Sequence, residues 1–131
     1  MSVFVLELNG ATRRERIDGV SSFVGEDDSG QFGLLAGHAR LATVLAFGLA
    51  RFRVGAQAWQ FLALPGGVAY FVDDVLRIAT RRYLYDQDFR KVSDALEDEF
   101  LAQERQIATV RENLQRLEQE MLRRLWEMGR R

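Results

Sequence analysis

Between residues 2 and 82 the apolar positions come in short runs, and several of these alternate with polar ones. In VLRIATRR (75–82), Val75, Arg77, Ala79 and Arg81 share one face and Leu76, Ile78, Thr80 and Arg82 the other. That is the period-two pattern of a half-buried strand. Runs at 2–8, 20–26, 49–54, 58–64 and 68–72 are rich in β-branched and aromatic residues. Turn signals separate them: Asp18-Gly19, Gly55, Pro65-Gly66-Gly67, and Asp73-Asp74 as a two-residue hairpin. Short strands with turns every ~8–12 residues predict an antiparallel sandwich or barrel.

Beyond this half the period changes. With Phe100 as heptad position a, the a positions are Phe100, Ile107, Leu114, Met121 and Met128, and the d positions Leu96, Gln103, Val110, Leu117 and Arg124. All but Gln103 and Arg124 are apolar, which predicts a helical seam expected to be covered. An unbroken helix of this span would reach about 60 Å. Thr109 and Glu112, however, have capping-box spacing. A break at Ala108-Thr109 would give two helices able to close as an αα-hairpin. The pattern permits either arrangement.

Ten of the 11 glycines fall at or before Gly67, the only proline is Pro65, and neither residue occurs from Phe89 to Met128. Both punctuate strands and turns and are excluded from long helices. The chain is therefore expected to be α+β: an antiparallel β domain, sandwich or barrel, over 1–87 and a helical domain over 88–131.

Composition removes several function classes. The net charge of −1 offers no field for nucleic acid or an anionic membrane. With no cysteine there is no disulfide, thiol nucleophile or cysteine metal site. No run approaches the ~20 apolar residues of a membrane span, and MSVFVLELNGATRRER lacks a basic region ahead of its apolar stretch, unlike a signal peptide.

Little chemistry is left. His38, the only histidine, lies in GQFGLLAGHARLATVL (30–45) without a cysteine, a Gly-x-Ser-x-Gly elbow or a second ligand. It reads as a loop residue that shapes a contact. Gly30, Gly33 and Gly37 match neither the dinucleotide nor the P-loop spacing and are expected to supply positive φ in a tight loop. GEDDSG (25–30) lacks calcium-loop spacing and reads as a solvated turn. Arg51 and Arg53 share a strand face, with no aromatic expected between them. Glu97, Asp98, Glu99 and Glu104 form an acidic stretch, and Arg123, Arg124, Arg130 and Arg131 a basic tip. No constellation supports an enzyme. On these features alone a β-sandwich interaction module with a helical oligomerisation arm fits as well as any larger assembly.

The glycine-histidine segment carries a resemblance. Gly30, Phe32, Gly33, Leu34, Leu35, Gly37, His38, Ala39 and Leu41 match a pattern of the epsilon subunit of rotary F-type ATP synthases, and LPGGVAYFVDDVLRIAT (64–80) resembles that family's Gly-Gly strand pair. EDDSGQFG and ATRRYLYDQD look closest to the alternate, often sodium-linked branch. The resemblance implies a ten-stranded β-sandwich with a two-helix C-terminal domain and no catalytic site. It implies a central-stalk subunit at the cytoplasmic face of the bacterial plasma membrane, peripheral and not inserted. Its partners would be gamma and the c-ring, and the C-terminal helices could reach the alpha and beta subunits and inhibit ATP hydrolysis. By similarity Gly30, Gln31 and Phe32 face the c-ring, His38 and Thr43 face gamma, and Arg123, Arg124, Arg130 and Arg131 approach the catalytic head. Two departures stand out. Ala36 and Arg40 replace the prolines that usually flank Gly-His-Ala, so Arg40 adds a charge to the c-ring side. YDQDFRKVSDA (85–95) departs from the Ile/Leu-Asp-x-x-Arg-Ala motif of ATP-binding members, so no bound cofactor is expected.

Overall fold

The computed structural model describes residues 2–129; Arg130 and Arg131 of the expected basic tip lie outside the described residues. Nine strands come first: β1 (Phe4–Asn9), β2 (Arg14–Asp27), β3 (Gly30–Leu34), β4 (Leu41–Leu45), β5 (Gly48–Val54), β6 (Gln60–Leu64), β7 (Gly67–Val72), β8 (Val75–Ala79) and β9 (Leu84–Asp86). A continuous helical rod follows: α1 (Phe89–Ala95), a π turn (Leu96–Phe100) and α2 (Leu101–Gly129).

The strands form two layers that share β2. Its first half pairs with β1, which runs parallel to β8 and on through β7 to β4. Its second half lies between β3 and β5, and that layer continues through β6 to β9. Counting β2 once in each layer gives the ten strands of the resemblance; as continuous strands there are nine among the described residues. Asp18-Gly19, expected to separate two strands, instead makes a bulge inside one. Leu6 pairs with Ile17 while Phe4 pairs with Val20, so β2 carries an extra residue there, and Gly19 takes φ 72. The bend lets one strand serve both layers.

The layers close over Phe4, Leu6, Leu8, Phe23, Phe52, Leu62, Phe71, Leu76 and Ile78, all at most 2% exposed. Leu76 and Ile78 point inward and Arg77 outward, as the alternation requires. Asp73 and Asp74, at φ 50 and 57, make the β7–β8 connection, and both central residues have the positive φ of a type I′ hairpin turn. The sharpest constraint is at Gly67, where β7 begins: a Cβ there would lie 2.4 Å from the Ala79 carbonyl oxygen on β8. Gly67→Ala is expected to push β7 from β8 and lower stability by about 2–4 kcal/mol, within the range of severe single substitutions. Urea unfolding measures this, and an unchanged midpoint would refute it.

The helical rod has two unequal parts. Asp88 caps α1 by accepting from the Arg90 and Lys91 amides. Val92 and Phe100 then bury against Ala63, with Phe61, Leu84, Leu49 and Leu96 around them. This is why Leu62, Ala63 and Leu64 are all buried in one strand: Leu62 and Leu64 face the sandwich core and Ala63 the helix. The π turn has a physical role in that contact. Its wider turn keeps Val92, Leu96 and Phe100 on one side, where residues four apart on an ordinary α-helix would drift around it.

Two ion pairs pin the rod further along, Arg82–Glu99 at 3.6 Å and Arg81–Glu104 at 3.0 Å, and Arg82 also lies over the Phe100 ring. After Ile107 the helix leaves the sandwich. No break occurs at Ala108-Thr109: the Thr109 hydroxyl donates to the Arg105 carbonyl one turn back, which satisfies it within the helix instead of at a cap. The seam expected to be covered is open over this length, with Val110, Leu114, Leu117, Met121 and Met128 all more than half exposed.

Candidate functional site

The segment Gly30 to Leu45 is less of a loop than its glycines imply. Its first five residues are β3, a strand on the edge of the second layer that pairs with β2 from Asp27–Gly30 to Phe23–Leu34. Gly30 has φ 114 as expected, but Gly33 sits in the strand without a positive φ. Alternation then divides the expected c-ring residues. Gln31 is exposed, while Phe32 turns inward against the Phe23 ring at 6.3 Å.

The true loop is 35–40, and it is tied to the β7–β8 turn. The Gly37 amide donates to Asp74 at 2.7 Å, with Gly37 at φ 82. Exposed His38 donates from Nδ1 to the Ala39 carbonyl, and its ring meets Phe71 edge-on at 6.1 Å. Leu35 and Arg40 are exposed at the same corner. His38 is thus a surface residue whose ring is oriented by the Ala39 carbonyl and Phe71.

Thr43 is turned the other way. Half-buried on β4, it donates to Asp27 at 2.7 Å. The Ser29 side chain and amide donate to the same carboxylate, so this part of GEDDSG is an ordered turn. The Ser29 hydroxyl, then Thr43, hold the Asp27 carboxyl below the usual carboxylate value. Because the folded pKa is depressed, the stability it contributes is present above 3.8, the ordinary value, and is lost as pH falls through the folded pKa. Thr43→Val is expected to move the Asp27 titration toward 3.8 in side-chain carboxyl NMR; no movement would mean that the hydroxyl does not hold it.

Sequence reasoning missed an exposed apolar patch on the sandwich. On the outer face of the first layer Val44 pairs with Val68 and Ala42 with Tyr70. Val44 is 67%, Val68 51% and Tyr70 46% exposed. A contiguous apolar patch on a sheet face marks an interaction site. The clue was available: in LATVL the polar Thr43 lies between Ala42 and Val44, an alternation that puts the apolar pair outside once Leu41 and Leu45 face the core.

A second surface corrects an expectation directly. Trp59, just before β6, lies between the two arginines of β5, 4.9 Å from Arg51 and 5.8 Å from Arg53. The hairpin fold supplies the aromatic that this face of β5 lacks, Phe52 being turned into the core. Arg53 is held there by the Ala56 and Gln57 carbonyls.

Other candidates resolve into structure. Lys91 pairs with Asp86, and Asp88 serves as the α1 cap, so both polar groups of the altered ATP motif are engaged locally. Arg124 pairs with Glu120 at 3.4 Å, and Arg123 is exposed. Among the described residues no group of three His, Cys, Asp or Glu could hold a metal ion, and no helix is long and apolar enough to cross a membrane.

Residues 8–85 match the family model of the ATP synthase delta/epsilon chain, beta-sandwich domain. The chain is 49% identical over 51 residues to an ATP synthase epsilon chain 2 of Cereibacter sphaeroides, a stretch covering 39% of this chain and 35% of that one. It is 39% identical over 61 residues to an ATP synthase epsilon chain of Prochloron didemni, covering 47% and 44%. The matched stretches therefore span less than half the length of these curated relatives. In fold it is similar to a chain of the Euglena gracilis mitochondrial ATP synthase OSCP/F1/c-ring structure, with a TM-score of 0.59 and 24% identity over 74% of this chain and 62% of that one. A chain of the Tetrahymena thermophila mitochondrial ATP synthase central stalk and c-ring gives 0.52 at 14% identity, covering 61% and 64%. With the β-sandwich model matched across well over half of its length, this chain belongs to the ATP synthase delta/epsilon chain family.

Proposed function

We propose that the chain is the non-catalytic epsilon subunit of the central stalk of an F-type ATP synthase, peripheral at the cytoplasmic face of a bacterial plasma membrane. In this reading the sandwich (1–87) holds the rotor parts together and the helical part (88–131) regulates. The β3 edge at Gly30 and Gln31, with Arg40, faces the c-ring. The corner at His38 and the apolar patch of Val44, Val68 and Tyr70 face gamma. The far end of α2, with Arg123 and Arg124, meets the alpha and beta subunits.

The observation that carries the proposal is the division of the helical rod. Its first part is packed into the sandwich, whereas the stretch from Val110 to Met128 leaves an apolar stripe in water. A stripe of that length on an otherwise polar helix is a surface for a partner. The test is ATP hydrolysis by the assembled complex carrying either the full chain or one stopped after Ala108. Normal assembly with faster hydrolysis is expected. Unchanged hydrolysis would remove regulation from α2, and failed assembly would place the rotor contacts there instead of on the sandwich.

A further inference from the structure

The tight β1–β2 turn lies beside the segment that joins β8 to β9, held by the Ala11 amide donating to the Arg81 carbonyl at 3.1 Å. Between them is a cavity of about 330 Å3 lined by Gly10, Ala11, Thr12, Arg13, Arg81, Arg82 and Tyr83. The lining residues include three arginines, a threonine and a tyrosine, but no aspartate or glutamate. Each arginine is held at its side. Arg13 pairs with Glu15 at 2.8 Å and lies over the Tyr83 ring at 4.9 Å, Arg81 pairs with Glu104, and Arg82 pairs with Glu99 above Phe100. A guanidinium has five N–H donors, and one carboxylate engages at most two of them. Three arginines with donors to spare therefore border a space that no acidic residue lines.

We propose that this cavity is an oxyanion site for a phosphate group, and that filling it loosens the helical rod. The coupling follows from where the counter-charges come from. Glu15 belongs to the sandwich, but Glu99 and Glu104 belong to the rod. A phosphate dianion shared by Arg81 and Arg82 competes with those two carboxylates. The Arg82–Glu99 pair yields first, being the longest of the three at 3.6 Å and made by a carboxylate 61% exposed. Linkage makes the effect mutual: an anion that binds better when the clasp is open opens the clasp, and opening the clasp by any other means tightens the anion.

The same chemistry could come from inorganic phosphate or from the phosphates of a nucleotide, so both are used as probes on the full chain, by calorimetry against sodium chloride at matched ionic strength. Saturable binding of inorganic phosphate is expected, weakened roughly tenfold or more by Arg82→Gln. ATP should also bind, with the same sensitivity to Arg82→Gln. Glu99→Gln with Glu104→Gln should tighten phosphate binding several-fold, and hydrogen exchange at 99–107 should quicken when phosphate is added. The tightening separates a ligand site from a structural one, because removal of a merely structural ion pair creates no affinity. Phosphate binding no stronger than chloride, or unaffected by Arg82→Gln, overturns the site. ATP binding that survives Arg82→Gln overturns the assignment of nucleotide phosphates to it. Binding without tightening in the double variant overturns the coupling.

Discussion

If the proposed docking on gamma holds, Val68→Glu should weaken that binding by about 30-fold or more, while leaving the chain's own stability nearly unchanged. The two halves of that expectation have separate causes. Val68 is half exposed on the outer face of the sheet, and a glutamate there keeps its charge in water in the free subunit. Surface substitutions of this kind usually stay within about 0.5 kcal/mol. In a complex the same position would lie at the centre of the apolar patch, between Val44 on β4 and Ala79 on β8. A carboxylate desolvated there without a partner costs about 2 kcal/mol or more, which is roughly 30-fold in affinity. Arg40→Ala is the contrast: a rim charge alters the salt dependence of association more than its strength. Titration of gamma with each variant, beside thermal melts of the free subunits, reads both halves. If Val68→Glu binds normally, gamma does not use this face, and the proposal must move to the second layer around Trp59.

How far the sequence could lead is clear from individual residues. The β7–β8 hairpin was legible because its signals are local: alternation in VLRIATRR and two aspartates that tolerate positive φ. The change from strand to helix near Asp88 was legible for the same reason, since capping and the loss of glycine are short-range. The extension of β2 back to Arg14 was not. Gly19 looks like a turn until β1 is present to pair on both sides of the bulge. Nor could Thr109 be read correctly, because the same hydroxyl suits a cap or a bond to the carbonyl four residues earlier. The candidate surfaces divide along the same line. His38 and Gln31 are exposed as expected, whereas Thr43 and Phe32 are turned inward by strand alternation that becomes visible only once β3 and β4 are recognised as strands. Trp59 meets Arg51 and Arg53 only because β5 and β6 form a hairpin.

Phe100→Ala is expected to free the helical rod and leave the sandwich standing. Phe100 is 1% exposed and anchors the contact between the π turn and β6, where Ala63 and Val92 are its buried neighbours. Truncating a buried phenylalanine costs about 3–5 kcal/mol. Where that cost falls depends on which cooperative unit the residue belongs to. The sandwich core around Phe71 and Leu76 is a separate cluster closed by nine strands, and Phe100 is not part of it. The contact that holds the rod is much smaller: Val92 and Leu96 share it with Phe100, Phe89 meets the Phe61 ring, and Arg81–Glu104 and Arg82–Glu99 are surface ion pairs worth at most about 1 kcal/mol each. A loss of several kcal/mol from the largest buried side chain of so small a contact exceeds what these ties can offset. The rod should therefore undock, with rapid proteolysis between Leu96 and Thr109, while the main thermal transition moves far less than in Phe71→Ala, whose ring is fully buried in the sandwich core. Equal drops in melting temperature for the two variants would show that rod and sandwich unfold as one unit, and would count against regulation by a separable helical arm.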